Sequence, residues 1–300
     1  MDVNGVEVED TYCEAFSGIY SRFIITAKYR WLLEKAVLSA TALPSTVFGE
    51  SEGGLEKWLS PEETPDGRIG AVVHIWVAKS KKYMDILNRE MGKRIRQGIL
   101  VVPTTRVFNA SQSEQQMDAE LNVGRCGDDY EWEEERWGRK VIVVPIMFGE
   151  FAIERFIGFE EGVAGGNIWY FCESECAALE AGEAAVESLR QVDGVITSFD
   201  VCSAGSKVET KYPEIGPTTN HPYCPTLKGK LDESMVPEGV KSIPEIVING
   251  IDFQSVKKAM YTCIEVGSRV DGVVKISTGN FGGKLGKYHI YLKDLLKEFG

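Results

Sequence analysis

Long apolar runs are missing from this sequence. Its longest apolar stretches, such as residues 141–148, are far too short to cross a bilayer. The N-terminus lacks the basic segment followed by an apolar segment that marks a secretory signal. Positive charge is scarce, because 33 Lys and Arg residues stand against 45 Asp and Glu residues and leave a net charge of −12. The short apolar runs and the missing signal predict a cytoplasmic protein without a membrane partner. No basic cluster is visible, so we predict that the protein does not bind nucleic acid.

Cysteine is present but forms no recognisable pattern. The seven cysteines are odd in number, irregularly spaced and without a C-x-x-C pair, which argues against a disulfide framework. Cys172 and Cys176 are the one close pair, and no histidine lies near them in sequence to complete a zinc site. We interpret both as packing residues and predict no bound metal.

Glycine-rich stretches occur at residues 162–167, just before a predicted strand, at 279–286, just after one, and at 64–68, a predicted turn. None matches the G-x-G-x-x-G pattern of dinucleotide sites. The Gly-Lys pair at 283–284 is followed by Leu, whereas a phosphate-binding loop requires Ser or Thr. Closely spaced glycines let the backbone approach a ligand or another strand. From composition alone, tight turns are the simpler interpretation.

The apolar pattern of the C-terminal half gives the order strand, helix, strand twice. Apolar and aromatic runs predict the strands, and apolar residues at helical spacing predict the helices between them. This order is that of the ferredoxin-like arrangement, an antiparallel sheet with two helices on one face. The predicted elements are strands 168–172, 195–199, 246–248 and 273–277, helix 177–191, and helix 253–267 capped by Asp252.

The N-terminal half permits the same interpretation, and an acidic run at residues 128–135 is typical of a solvated segment between lobes. We therefore predict an α+β protein of two tandem ferredoxin-like lobes, each βαββαβ: an N-terminal lobe at 1–147 and a C-terminal lobe at 148–300. Residues 209–239 predict a long irregular excursion. The elements predicted for the first lobe are strands 23–25, 46–48, 71–77 and 100–102, helix 32–40, and helix 83–95 capped by Ser80.

Several ordered segments together resemble one protein family over nearly the whole chain. The longest are Glu-Ile-Val-Ile-Asn-Gly at 245–250 and the run from 272 to 286. On these segments the chain resembles formylmethanofuran:tetrahydromethanopterin formyltransferase of methanogenic and related archaea. The resemblance implies two ferredoxin-like lobes, a homo-oligomer (dimer or tetramer), no prosthetic group and a place in one-carbon metabolism and methanogenesis. The other matching segments are residues 4–11, 14–16, 61–68, 162–167, 206–208, 219–220, 223–226 and 236–241.

Two departures from the family pattern indicate a divergent member or second isoform. Residues 43–54 replace a stretch that family members carry after the first helix, and the paired glycines expected before Ser206 are missing near residue 200. Loops of this kind shape substrate clefts. The departures therefore bear on how substrates would fit.

The resemblance implies transfer of a formyl group from formylmethanofuran to tetrahydromethanopterin, the two co-substrates. Attack on the formyl carbon creates an oxyanion that hydrogen-bond donors must stabilise, and the departing amine needs a proton from a general acid. His74 and His289 lie in predicted strands, and we interpret both as structural. Glu245, at the entry to an apolar strand, is the predicted acid/base, because partial burial there would raise its pKa.

Polar, cationic and aromatic residues in the matching segments are candidates for substrate binding. Backbone N–H groups of the two C-terminal glycine-rich stretches are expected to face the substrates, and Lys207 and Lys284 to meet their anionic groups. Tyr223 and Phe281 are expected to stack on a furan or pterin ring, with core packing as the alternative. The predicted substrate-binding residues are Asn167, Ser206, Lys207, Thr219, Asn220, Tyr223, Asn280, Phe281 and Lys284.

Three functions stay open at this point. The first is an active formyltransferase, which the intact segments at 245–250 and 279–286 favour. The second is a formyl-transfer subunit of a transferase/hydrolase complex, as in methylotrophic bacteria. The third is a non-catalytic paralogue that binds pterin or methanofuran, which the altered stretch at 43–54 and the lost glycines near 200 favour.

Overall fold

The computed structural model describes residues 1–43, 49–207 and 210–300, which divide into two compact units. The first unit is Gly18–Gly162, and the second combines Met1–Ser17 with Val163–Gly300. The opening residues of the chain therefore belong with its C-terminal half. The predicted lobe boundary near residue 147 stays a prediction.

The described residues mix strands and helices along the whole chain. Helix α2, at Tyr83–Arg94, is continued by a π-helical segment at Ile95–Leu100. The strands are β1 (Asp2–Val3), β2 (Val6–Val8), β3 (Tyr12–Thr26), β4 (Glu52–Leu59), β5 (Gly70–Ala78), β6 (Arg106–Asn109), β7 (Gln116–Asp118), β8 (Trp132–Arg136), β9 (Arg139–Ile146), β10 (Gly149–Glu154), β11 (Phe156–Cys172), β12 (Val195–Thr197), β13 (Ser206–Lys207), β14 (Thr218–Thr219), β15 (Glu245–Gly250), β16 (Val273–Ser277) and β17 (Tyr288–Tyr291). The helices are α1 (Arg30–Thr41), α2 (Tyr83–Arg94), α3 (Ala119–Asn122), α4 (Glu175–Leu189), α5 (Phe253–Gly267) and α6 (Leu292–Phe299).

The second unit contains a four-stranded antiparallel sheet in the order β12-β15-β11-β16. Helices α4 and α5 lie side by side and share one core with this sheet. In chain order the four strands are β11, β12, β15 and β16, so the first strand lies between the third and the fourth. The predicted ferredoxin-like arrangement is therefore confirmed for this half. Asp252 caps α5 as predicted, because its carboxylate accepts a hydrogen bond from the Ser255 N–H at 2.7 Å.

The first unit repeats the same strand order with different strands. Its antiparallel sheet runs β6-β3-β5-β4, and α1 and α2 both contact β5. Strand β10 adds to β6 in parallel, and the antiparallel strands β9 and β8 follow it. The predicted arrangement is again confirmed, with an added set of strands that the sequence pattern did not reveal.

Two predicted elements of the first unit are wrong. The strand expected at 100–102 is absent: Ile95–Leu100 extend helix α2, and the chain returns as β6. Periodicity cannot distinguish a short apolar run in a strand from one in a buried helix, and here Ile95 and Ile99 are buried by the helix. Ser80 does not cap α2, which begins at Tyr83. The strand expected at 46–48 lies outside the described residues.

Three features of the predicted loops and cysteines also differ. The glycine-rich stretch 162–167 lies inside β11, where the pairing with β15 has a bulge, and so does not precede a strand. Part of the acidic run forms β8, in which the Glu133 carboxylate pairs with Lys140 of β9 and with Arg155, just after β10. Cys172 is buried as predicted, but Cys176 is exposed on the first turn of α4. The irregular stretch 209–239 is confirmed, apart from residue 209, which is not described.

No helix in the described residues combines the length and apolarity that a membrane span needs.

The loop between β16 and β17 is organised around the buried carboxylate of Glu14. Each oxygen of this carboxylate accepts two hydrogen bonds from backbone N–H groups, four in all, and Glu14 itself is only 1% exposed. These four N–H groups hold the pKa of Glu14 below its usual range, because they stabilise the ionised form. The donors are Phe281 and Gly283 to Oε1 at 2.7 and 2.5 Å, and Leu285 and Gly286 to Oε2 at 3.0 and 2.7 Å.

Close packing in the second unit depends on a glycine of α5. The ring of the fully buried Tyr170 lies against Gly267, and its hydroxyl donates to the Cys263 carbonyl at 2.9 Å. A Cβ at position 267 would come within 2.2 Å of the ring. A rigid aromatic side chain fixed at both ends has nowhere to move.

We expect Gly267→Ala to lower the free energy of unfolding by about 2 kcal/mol, because the steric clash outweighs the better helix propensity of alanine. Urea denaturation measures this loss. Lys258→Ala, an exposed change on the same helix, is the control and should stay within about 0.5 kcal/mol of the parent. A Gly267→Ala protein of unchanged or higher stability would contradict the packing argument.

We expect Glu14→Gln to cost about 2–4 kcal/mol at pH 7, because all four N–H groups lose a charged acceptor and two of them then face the amide NH2 group. A lowered folded-state pKa means that this stability is present at neutral pH and disappears as the pH falls through that pKa. The difference between parent and variant in urea unfolding should therefore shrink at about pH 3. Glu180→Gln, exposed on α4, is the control. An equal difference at both pH values would contradict a charge-based role.

Candidate active site

A cavity of about 470 Å³ lies in the second unit where β15 begins. Its wall is formed by Trp169 of β11 and the first residue of β15, by the first turns of α4, and by irregular chain that includes residues 219–226 and 241–244. The excursion that the sequence predicted as irregular therefore covers part of the site. Lining residues that the following argument uses are Trp169, Glu175, Val201, Thr219, Asn220, Tyr223, Lys241 and Glu245.

Glu245 is the first residue of β15 and lies at the cavity wall. Its backbone is held by two hydrogen bonds with Cys202, at 2.8 and 2.9 Å. Its carboxyl Oε1 accepts a hydrogen bond from the Trp169 indole Nε1 at 2.9 Å. Burial raises the pKa of Glu245, and the indole N–H offsets part of that rise. The result is a carboxyl group whose protonated form persists closer to neutral pH than that of an exposed glutamate.

Three predicted binding residues share this cavity with Glu245. Thr219, Asn220 and Tyr223 belong to one short segment, in which the Asn220 carbonyl accepts the Tyr223 N–H at 3.0 Å. The Tyr223 ring contacts the Trp169 indole edge-to-face, with 4.9 Å between ring centroids. Burial raises the pKa of the Tyr223 hydroxyl, which therefore stays a hydrogen-bond donor. Together with Glu245, these three residues bring a carboxyl group, an amide and two hydroxyls to the cavity.

Six other predicted residues do not line this cavity. Their polar groups serve the fold or face solvent, so a binding role for them stays a prediction. Asn167 Oδ1 accepts from the Gly279 N–H and the Thr278 hydroxyl, Asn280 Nδ2 donates to the Tyr12 carbonyl, the Phe281 ring lies 6.1 Å from the Phe16 ring, Ser206 and Lys207 form β13, and Lys284 is exposed.

The backbone N–H groups of the two glycine-rich stretches were expected to face substrates, and the structure contradicts this for seven of them. In the stretch 279–286, four point at the Glu14 carboxylate, and those of Gly279 and Gly282 donate to the side chains of Asn167 and Asn280. In the other stretch, the Gly165 N–H donates to the buried Asn249 side chain at 2.9 Å. An ionised carboxylate within the same unit is a better acceptor than water for the four N–H groups around Glu14. The glycine-rich loop, whose sequence suggests ligand binding, therefore stabilises the fold.

Sequence reasoning missed Trp169, Glu175 and Lys241 as cavity residues. The signal for Trp169 was present, since a buried indole N–H usually finds an acceptor and a glutamate follows on a strand of the same sheet. The pairing of Trp169 with Glu245 depends on strand register, which the sequence pattern alone does not determine. Glu175 and Lys241 resemble ordinary surface residues in sequence.

His74 and His289 lie in β5 and β17, as expected. His74 is fully buried with its Nε2 2.7 Å from the Glu56 carboxylate. Among the described residues, no group of three or more His, Cys, Asp or Glu side chains has the arrangement of a metal site.

Comparison with known proteins places this chain in one family. The family model of formylmethanofuran-tetrahydromethanopterin formyltransferase matches residues 1–146, and that of its proximal lobe matches residues 149–295. A formylmethanofuran--tetrahydromethanopterin formyltransferase-like protein of Archaeoglobus fulgidus is 74% identical over 100% of this chain and 99% of its own length.

Two solved structures are similar over nearly their whole length. The formyltransferase from Methanosarcina barkeri has a TM-score of 0.92 and 41% identity, covering 98% of this chain and 100% of that one. One chain of the formyltransferase/hydrolase complex from Methylorubrum extorquens, solved with methylofuran, has a TM-score of 0.90 and 30% identity, covering 99% of this chain and 98% of that one. The chain therefore belongs to the formylmethanofuran-tetrahydromethanopterin formyltransferase family.

Proposed function

We propose that this chain transfers a formyl group from formylmethanofuran to tetrahydromethanopterin in the cavity beside β15, with Glu245 as the acid/base. The observation that carries the proposal is a glutamate whose pKa is raised by burial and which lines a cavity that also contains hydrogen-bond donors. Family membership supplies the reaction. The position of Glu245 supplies the proton transfer that the reaction needs.

One carboxyl group is enough for both proton transfers of the proposed reaction. A ring nitrogen of the pterin attacks the formyl carbon, and the carbonyl oxygen becomes an oxyanion. The intermediate then collapses, the bond from carbon to the methanofuran nitrogen breaks, and protonated Glu245 gives its proton to that nitrogen. The pterin nitrogen carries a positive charge after its attack, and it then passes its proton to the Glu245 carboxylate, which restores the acid form. Neither an oxidant nor a reductant is required.

Stabilisation of the oxyanion is proposed for Thr219, Asn220 and Tyr223. Each brings a hydroxyl or amide donor to the cavity that contains Glu245. Donors held in place before the reaction stabilise developing charge without reorganising. Lys241 at the cavity wall is a candidate for the anionic groups of the substrates, together with the predicted Lys207 and Lys284.

The remaining aspects of the proposal follow the family resemblance. We propose a cytoplasmic enzyme of archaeal one-carbon metabolism that uses the two coenzymes as substrates and carries no prosthetic group. A homo-oligomer, dimer or tetramer, is the proposed assembly. Light scattering on the purified protein measures its mass directly.

Two alternatives keep specific support. A subunit role is supported by the likeness to the Methylorubrum extorquens complex. A non-catalytic binding role is supported by the divergence near residue 200, because Val201 lines the cavity and Cys202 holds the Glu245 backbone. The altered stretch 43–54 is described only outside residues 44–48. A symmetric oligomer isolated without other subunits would argue against the subunit role.

We expect Glu245→Gln to lower kcat for formyl transfer at least ~100-fold with a small change in KM, because general acid–base catalysis contributes about 10²–10⁴-fold. A spectrophotometric assay with formylmethanofuran and tetrahydromethanopterin measures this. Glu180→Gln, exposed on α4, is the matched control. Full activity of Glu245→Gln would remove Glu245 from the mechanism. Coenzyme binding without turnover by the parent protein would establish the non-catalytic paralogue.

We expect the same variant to be more stable than the parent protein above neutral pH. A folded-state pKa raised above the unfolded value means that stability is fully present in acid and is lost as the pH rises through the folded pKa. Glutamine keeps an oxygen acceptor for the Trp169 indole and does not titrate. The difference in urea unfolding should therefore grow from pH 4 to pH 8, and a pH-independent difference would contradict burial of a charge.

A further inference from the structure

We propose that Trp169 is a positioning residue for Glu245, because its indole N–H holds one oxygen of the Glu245 carboxyl group in place. This inference rests on the proposed function, because it concerns the same acid/base. Trp169 and Glu245 are direct neighbours on the antiparallel strands β11 and β15. The indole Nε1 donates to Glu245 Oε1 at 2.9 Å.

The indole ring is fixed by its surroundings on several sides. Trp169 is 8% exposed and packs with Phe171, Val236 and Val240 in a small apolar cluster. The Tyr223 ring contacts it edge-to-face. A ring buried in this way has little rotational freedom, so its N–H points in one direction before any substrate binds.

The loop after β16 supports the ring from another side. Gly279 lies so close to the indole that a Cβ there would come within 2.5 Å of Trp169 Cζ2. The position of Gly279 is set by its own N–H, which donates to Asn167 Oδ1 at 2.7 Å. Farther along the loop, Glu14 binds four N–H groups. The glycine-rich stretch 279–286 therefore packs against Trp169, the side chain that orients Glu245.

The hydrogen bond has a definite chemical consequence. An N–H donor stabilises the ionised carboxylate more than the neutral acid, so it works against the burial that raises the pKa of Glu245. Because the indole occupies Oε1, proton exchange with the substrate nitrogen is assigned to Oε2. Orientation and proton affinity of the acid are thus controlled by one contact.

The test replaces Trp169 by phenylalanine, which keeps an aromatic ring and removes the N–H. We expect the limb of the pH–kcat profile that reports Glu245 to move to higher pH and kcat at the optimum to fall about 10-fold, with KM changed less than about 2-fold. Trp31→Phe, which changes an exposed tryptophan of α1, is the control and should leave the profile unchanged.

A second readout does not depend on activity. Infrared titration of the Glu245 carboxyl stretch, identified by its loss in Glu245→Gln, should show a higher pKa in Trp169→Phe than in the parent. Gly279→Ala, which keeps the indole but displaces it, should shift the titration in the same direction. Coincident titrations of the parent and both folded variants would overturn the proposal.

The two proposals fail in distinguishable ways. If Glu245→Gln retains full activity, the catalytic role fails, whereas the effect of Trp169 on Glu245 is still decided by the infrared titration. If Glu245→Gln is inactive and Trp169→Phe changes neither the pH profile nor the titration, only the positioning role fails. In the Glu245→Gln background, Trp169→Phe should have no further effect on residual turnover, and an independent additional loss would contradict action through Glu245.

Discussion

The contact on which the site depends is the one between the Glu14 carboxylate and four backbone N–H groups of the loop after β16. A buried charge is tolerated because every donor around it is a dipole fixed in place. The loop begins at Gly279, whose N–H binds Asn167 and whose backbone touches the Trp169 indole. Glu14 and Asn167 therefore determine the shape of this loop, which has no regular secondary structure. The loop in turn packs against Trp169, the hydrogen-bond partner of Glu245.

Glu245 and Glu14 show how one residue type serves opposite purposes within one unit. Glu14 has four N–H donors, and its pKa is lowered. Glu245 has one side-chain donor, Trp169 Nε1, and its pKa is raised by burial. The number of donors decides which form of the carboxyl group is favoured. The first glutamate stays ionised and stabilises the fold, whereas the second, at a cavity wall, holds its proton to higher pH than an exposed glutamate does.

Much of the architecture could be predicted, because helical and strand periodicity are local properties of the sequence. The order of strands and helices around β11 and α5 was expected and was found, and so was the cap at Asp252. The prediction of a strand at 100–102 was wrong because a short apolar run fits a helix equally well. Of the predicted site residues, Glu245 and the segment from Thr219 to Tyr223 meet in one cavity. Asn167 and the loop residues do not, because their polar groups had closer partners within the chain.

The sequence by itself determined the two ferredoxin-like lobes, the family and the glutamate at the start of β15, because each of these is contained in a contiguous pattern of residues. The tertiary structure alone decided which groups meet: Trp169 with Glu245, and Glu14 with the glycine-rich loop. These partners are separated by 76 and 267 positions in the chain. Whether a buried donor meets a substrate or a carboxylate of the same chain depends on strand register and packing, which no local pattern specifies.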